Sequence, residues 1–199
     1  MYVFVRGNRE RLMRVGSSES FISRGRIVTV AGILLAAALL LMAVADGARA
    51  QVLYTESLPG GVQRTTYRLG PVNVTPGQNR IAFRPISGNS RPNVNGWITR
   101  IKPDLVYKDG SIPKSSKVMF HHGVWINTST NEQFYATGEE KTILTLPQGF
   151  GYRYKTNEVW ILNDMIHNLT PEAMQLYFEY TIDFIPDSAA EADDIVRAR

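Results

Sequence analysis

No cysteine occurs anywhere in this chain. That excludes thiolate catalysis, cysteine-based zinc sites and stabilisation by disulfides. Histidine is scarce, at three in 199 residues. No Gly-x-Ser-x-Gly elbow, phosphate-binding loop or dinucleotide fingerprint appears. Past residue 50 there is no long helical periodicity and no internal repeat. The excess of positive charge is confined to one end. Seven of the 22 Lys and Arg and three of the 18 Asp and Glu fall in residues 1–50, leaving fifteen of each sign beyond. A balanced remainder offers no basic patch, so nucleic acid is not an expected partner.

The first fifty residues read as a signal peptide. Arg24 and Arg26 precede a run of apolar and small residues, 27–45, and Ala48-Arg49-Ala50 then offers a small-x-small cleavage site before Gln51. Met13 is an alternative start. This layout predicts export, to the medium, the periplasm or the cell envelope. The same run is almost long enough to span a bilayer, so an uncleaved leader would anchor the chain to a membrane. About 149 residues then remain, enough for one core without disulfides.

Beyond the leader, turn signals recur at short intervals. Pro59-Gly60-Gly61, Thr75-Pro76-Gly77-Gln78 and Lys108-Asp109-Gly110-Ser111 separate short runs that read as strands. The expected strands include 67–74, 79–85, 96–106, 118–125, 134–137, 142–146 and 159–167. Pro103 interrupts 96–106 and suggests an edge or a bulge. The clearest strand comes last. Leu176, Phe178, Tyr180, Ile182 and Phe184 alternate with Gln175, Tyr177, Glu179, Thr181 and Asp183, a period of two that buries one face. The predicted fold is therefore all-β, an antiparallel, jelly-roll-like sandwich over 67–186. Residues 51–66 are expected to be loose, and 187–199 to form an acidic tail. The run 159–167 is nearly all apolar and is expected to be covered on both faces.

All three histidines lie on strand-like segments. His121 and His122 are adjacent in Val118-Met119-Phe120-His121-His122-Gly123-Val124-Trp125, and His167 ends 158–167. Three imidazoles with an open position make a metal site of copper or zinc type. Geometry sets a condition. Neighbours on a regular strand face opposite ways, so both members of the pair reach one ion only if the strand twists or bulges. Gly123 permits that. The alternative for such histidines is one buried and one exposed side chain, with His167 bonded to a carbonyl. Asp164, three residues before His167, falls on the opposite face, which predicts solvation or a turn contact. Trp97, Trp125 and Trp160 read as core or edge packing.

The order of these features resembles the copper type II, ascorbate-dependent monooxygenase family, which includes peptidylglycine α-hydroxylating monooxygenase and dopamine β-hydroxylase. The residues that carry the resemblance are His121-His122, then Leu146-Pro147-Gln148-Gly149-Phe150-Gly151-Tyr152-Arg153, then a strand ending in Ile166-His167, then the final alternating strand. The likeness spans about residues 118–185 and corresponds to the family's amino-terminal domain. It implies that His121, His122 and His167 hold one copper, the electron-transfer site. The departures are specific. No His-x-His pair, no fourth histidine and no disulfide is present, and Gly123 stands where the family carries a larger apolar residue. Full two-copper hydroxylation is therefore not expected from this chain. The resemblance leaves three functions: a copper domain with one tri-histidine site and a redox or copper-delivery partner, a non-catalytic exported sandwich with a structural or partner-binding role, and a mononuclear copper oxidase or monooxygenase. Zinc is the alternative metal.

Overall fold

The computed structural model describes residues 49–198. The expected signal segment lies outside the described residues except for Arg49 and Ala50. Strands β1 (Arg49–Ser57), β2 (Gln63–Val74), β3 (Asn79–Ile86) and β4 (Gly96–Val106) are followed by β5 (Val118–Asn127), β6 (Glu132–Thr137), β7 (Leu144–Thr145) and β8 (Phe150–Tyr154). Then come β9 (Trp160–Asn168), β10 (Met174–Pro186) and β11 (Val196–Arg197). They form two sheets packed as a sandwich. The larger runs β1-β2-β10-β4-β8-β11, with β7 also paired to β4, and the smaller runs β3-β9-β5-β6. All pairs are antiparallel except β11 with β8. Among the described residues no helix is long and apolar enough to cross a membrane.

The alternation in the last strand sets the core. Leu176, Phe178, Tyr180, Ile182 and Phe184 of β10 are all at most 3% exposed. They meet Phe120, Trp125, Trp160, Leu162 and Ile166 from the smaller sheet. Each fully buried side chain of this kind contributes roughly 1.5–3 kcal/mol. Tyr180 stacks edge-on to Trp125, and Tyr154 edge-on to Trp160, so aromatic pairs tie the sheets together. Trp125 and Trp160 are core residues, as expected, while Trp97 lies half-buried beneath the Arg153 guanidinium, 4.9 Å away.

Several expectations need correction. Residues 51–66 are not loose. They form edge strand β1, the turn after it and the start of β2. Both faces of β1 are exposed over Gln51–Ser57, so no apolar period marks it, and its main chain is held by β2. The acidic tail is likewise attached. A 3-10 turn at Ala190–Asp194 buries Ala192, and Val196–Arg197 pairs with β8. The Lys108–Ser111 turn forms, with Gly110 at φ +85°. It does not close a hairpin, because β4 and β5 belong to different sheets. Pro103 sits where β4 has β10 on one side only, since β8 and β7 reach no further than Ile101. A strand with one free side tolerates a residue without an amide donor.

Candidate metal-binding face

The site is built on β5 and β9, which are neighbours in the smaller sheet. Along β9, Trp160, Leu162, Asp164, Ile166 and Asn168 are buried, and the residues between them, including Met165 and His167, are half-buried. His167 thus projects from the outer face, as strand parity requires. The outer face of β9 is not covered by any described element, contrary to the expectation from its apolar composition.

On β5 the alternation breaks where the histidines are. Phe120 pairs with Ile166, and the next register partner is His122 with Met165, so His121 is the extra residue of a β-bulge. The inward positions show the consequence. Phe120 is in the core, and a Cβ built on Gly123 would lie 2.7 Å from Phe120 Cζ and 3.1 Å from Trp125 Cζ3. Phe120 and Gly123 both face inward with two residues between them instead of one. His121 and His122 therefore share the outer face, one exposed and one half-buried. The geometric condition set by the sequence is met by the bulge. Gly123 stands directly after the bulge, as expected from the sequence. It leaves room for the Phe120 and Trp125 rings rather than supplying an unusual backbone angle.

His121 and His167 face each other with ring centres 6.2 Å apart and planes 17° from parallel. An ion about 2 Å from a nitrogen lies about 3 Å from that ring's centre, so two rings on one ion stand up to about 6 Å apart. The pair sits at the outer limit of one ion's reach. Among the described residues, no three His, Asp or Glu groups are closed around a single point. The donor chemistry, imidazole nitrogens, fits copper or zinc; the nearby Glu140 carboxylate is engaged by the Gly138 amide, which donates to its Oε1 at 2.9 Å. Ligation of one ion by all three would need the imidazoles to turn toward one another.

Asp164 lies beneath this face, in the core, and is fully buried. Its parity is as expected, but its environment is not. Arg84 Nε donates to Asp164 Oδ2 at 2.6 Å, and Arg80 approaches at 3.9 Å. Burial pushes the Asp164 carboxyl up, against the opposing pull of Arg84 and, more weakly, His122. Sequence reasoning missed Arg84 because its partner is 80 positions away. It also missed Met119 and Met165. Met119 pairs with His167, and Met165 with His122, directly across the two strands on the same outer face.

The glycine run lies elsewhere. Gly149 takes φ +81° at the turn into β8, and Gly151 lets Trp97 Cβ within 2.9 Å of where its own Cβ would be. It shapes the larger sheet and supplies no ligand. Cavities of about 280 and 310 Å³ border the larger sheet, and neither is lined by a histidine. Of the three Asn-x-Ser/Thr triplets, Asn127 and Asn168 are fully buried and only Asn73 is exposed. No protein-family model and no curated protein matches the chain.

Proposed function

We propose that this is an exported copper-binding β-sandwich whose His121, His122 and His167 hold one ion on the outer face of the smaller sheet. In this reading the site corresponds to the electron-transfer copper of the ascorbate-dependent monooxygenases, and zinc is the alternative occupant. The observation that carries it is the bulge at His121. Without the extra residue one member of the pair would point into the core. Bound copper supplies one-electron transfer between its two common oxidation states. The chain's own residues supply neutral imidazoles, a strand pair that fixes their spacing, and an open face that a redox or copper-delivery partner can approach. Export rests on the leader described above.

The test is metal analysis of the purified protein with and without one ligand. One copper per chain is expected. His167→Ala should weaken copper about tenfold or more, because a three-ligand site loses its chelating geometry when one ligand goes. Unchanged affinity would remove the shared site. Assayed alone with ascorbate and oxygen, the chain should hydroxylate weakly or not at all. Robust turnover would favour a mononuclear enzyme.

A second reading draws on the same face. Ile81 and Phe83 of β3 are 59% and 65% exposed there. Apolar side chains so exposed favour a partner-binding sandwich without metal. Absence of copper and zinc from the purified protein would select it.

A further inference from the structure

We propose that Met119 and Met165 complete a histidine–methionine square on this face, and that the square selects copper(I). The inference rests on the copper reading above. The register places the donors in two rows. In one row Asn79 of β3, His167 of β9 and Met119 of β5 stand side by side. In the next, Ile81, Met165 and His122 do so, with His121 bulged beside His122. Across β9 and β5 the corners are therefore His167 opposite Met119 and Met165 opposite His122. Histidine is diagonal to histidine and methionine to methionine.

The dimensions suit one ion. Directly opposite residues in an antiparallel pair have Cβ atoms about 4.5–5.5 Å apart, and diagonal neighbours about 7–8 Å. His121, bulged beside His122, brings its ring centre to 6.2 Å from that of His167, so it stands at the edge of the same square. A methionine side chain is long and unbranched, so its sulfur can swing to the middle of a square of this size. Met119 and Met165 are each half-buried on this outer face rather than enclosed in the core.

Donor softness sets the preference. Thioether sulfur favours copper(I), whereas imidazole serves copper(II), zinc and copper(I) alike. Adding two thioethers to an imidazole set stabilises the reduced ion selectively. No carboxylate stands in either row to favour the oxidised one. The site would then hold copper in its reduced form and yield an electron reluctantly, as suits a carrier of copper(I).

The experiment compares the full exported protein with Met119→Leu, Met165→Leu and the double variant. Leucine keeps the apolar volume, and a thermal melt checks that the fold is unchanged. Copper(I) affinity is read anaerobically by competition with bathocuproine disulfonate, and copper(II) affinity by competition with a chelating amino acid. Each single variant should bind copper(I) about tenfold more weakly while its copper(II) affinity stays within about twofold. That selective loss lowers the reduction potential by about 59 mV per tenfold. Selenomethionine-substituted protein should show a copper–selenium distance by X-ray absorption. Unchanged copper(I) affinity in both single variants and the double, with His167→Ala still weakening it, would overturn the square and leave an imidazole-only site. Loss on Met→Leu but not on His167→Ala would also overturn it, since the sulfurs would then hold a separate ion. A wild-type chain that binds copper in neither state would defeat the underlying copper reading as well.

Discussion

The two sheets present unlike outer faces. On the larger sheet, β2 and β10 set charged and hydroxyl side chains directly opposite one another. Arg64 Nε donates to Asp183 at 2.7 Å, the Thr66 and Thr181 hydroxyls meet at 2.7 Å, and Arg68 Nε donates to Glu179 at 2.7 Å. Arg68 also lies over the Tyr177 ring. Every one of these groups has its partner within the same strand pair. On the smaller sheet the corresponding positions carry Met119, His121, His122, Met165 and His167, flanked by exposed Ile81 and Phe83. Soft donors and apolar groups stand where the other face has ion pairs. A face whose polar groups satisfy one another stabilises the sheet. A face that carries ligating atoms beside apolar surface is suited to binding something outside the chain.

The largest expected effect comes from the layer beneath the histidine face. Arg84→Ala leaves the fully buried Asp164 without its close partner and should cost about 3–5 kcal/mol, measured by chemical denaturation. The pH dependence has a definite sign. The Asp164 carboxyl is raised by burial, so the folded state holds that proton more readily than the unfolded one. Its contribution to stability is full at low pH and is lost as pH rises through the native value. Removing Arg84 removes an opposing influence and enlarges the shift. The deficit of Arg84→Ala should therefore be greater near about pH 8 than near about pH 4. A pH-independent deficit would mean that Asp164 finds another cation, Arg80 being the nearest.

Gly123→Ala asks whether the bulge tolerates bulk. The added methyl would press on Phe120 and Trp125 and should cost about 1–3 kcal/mol by thermal melt. If the bulge shifts to relieve that contact, the copper affinity proposed for this face should fall with it, although none of the proposed ligands has changed. Normal affinity together with lowered stability would separate the packing role of Gly123 from the placing of the histidines.

A smaller effect belongs to the larger sheet's outer face. Glu179→Ala breaks one partly buried pair and should cost about 1 kcal/mol. The loss should shrink in high salt. The smallest belongs to the face we assign to binding. Phe83→Thr should change stability by less than about 0.5 kcal/mol, because the ring is already in solvent. A large loss there would mean that the face packs against something in the protein as tested, and the contrast between the two faces would fail.

How much of this could be read from the sequence depends on range. The facing of β10 follows from its own alternation, since a period of two is a local property. The three histidines could be singled out because the chain has so few and all lie on strand-like runs. Edge strand β1 could not be seen, because an edge held by main-chain bonds to β2 needs no apolar period of its own. Nor could the attachment of Val196–Arg197 to β8, a pairing between segments far apart in sequence.

The sequence by itself determined an all-β chain with one strongly two-sided strand, a core without disulfides, and histidine as the scarce ligating residue. Only the tertiary structure decided which way the adjacent histidines point. That depends on one extra residue in β5 relative to β9, and a bulge exists only in the register between two strands. The same register set Met119 beside His167 and Met165 beside His122, and folding brought Arg84 to Asp164 across 80 positions. Alternation along a strand is inherited from the backbone of that strand alone. Which residue of another strand lies opposite is settled by how the whole sandwich closes over its core.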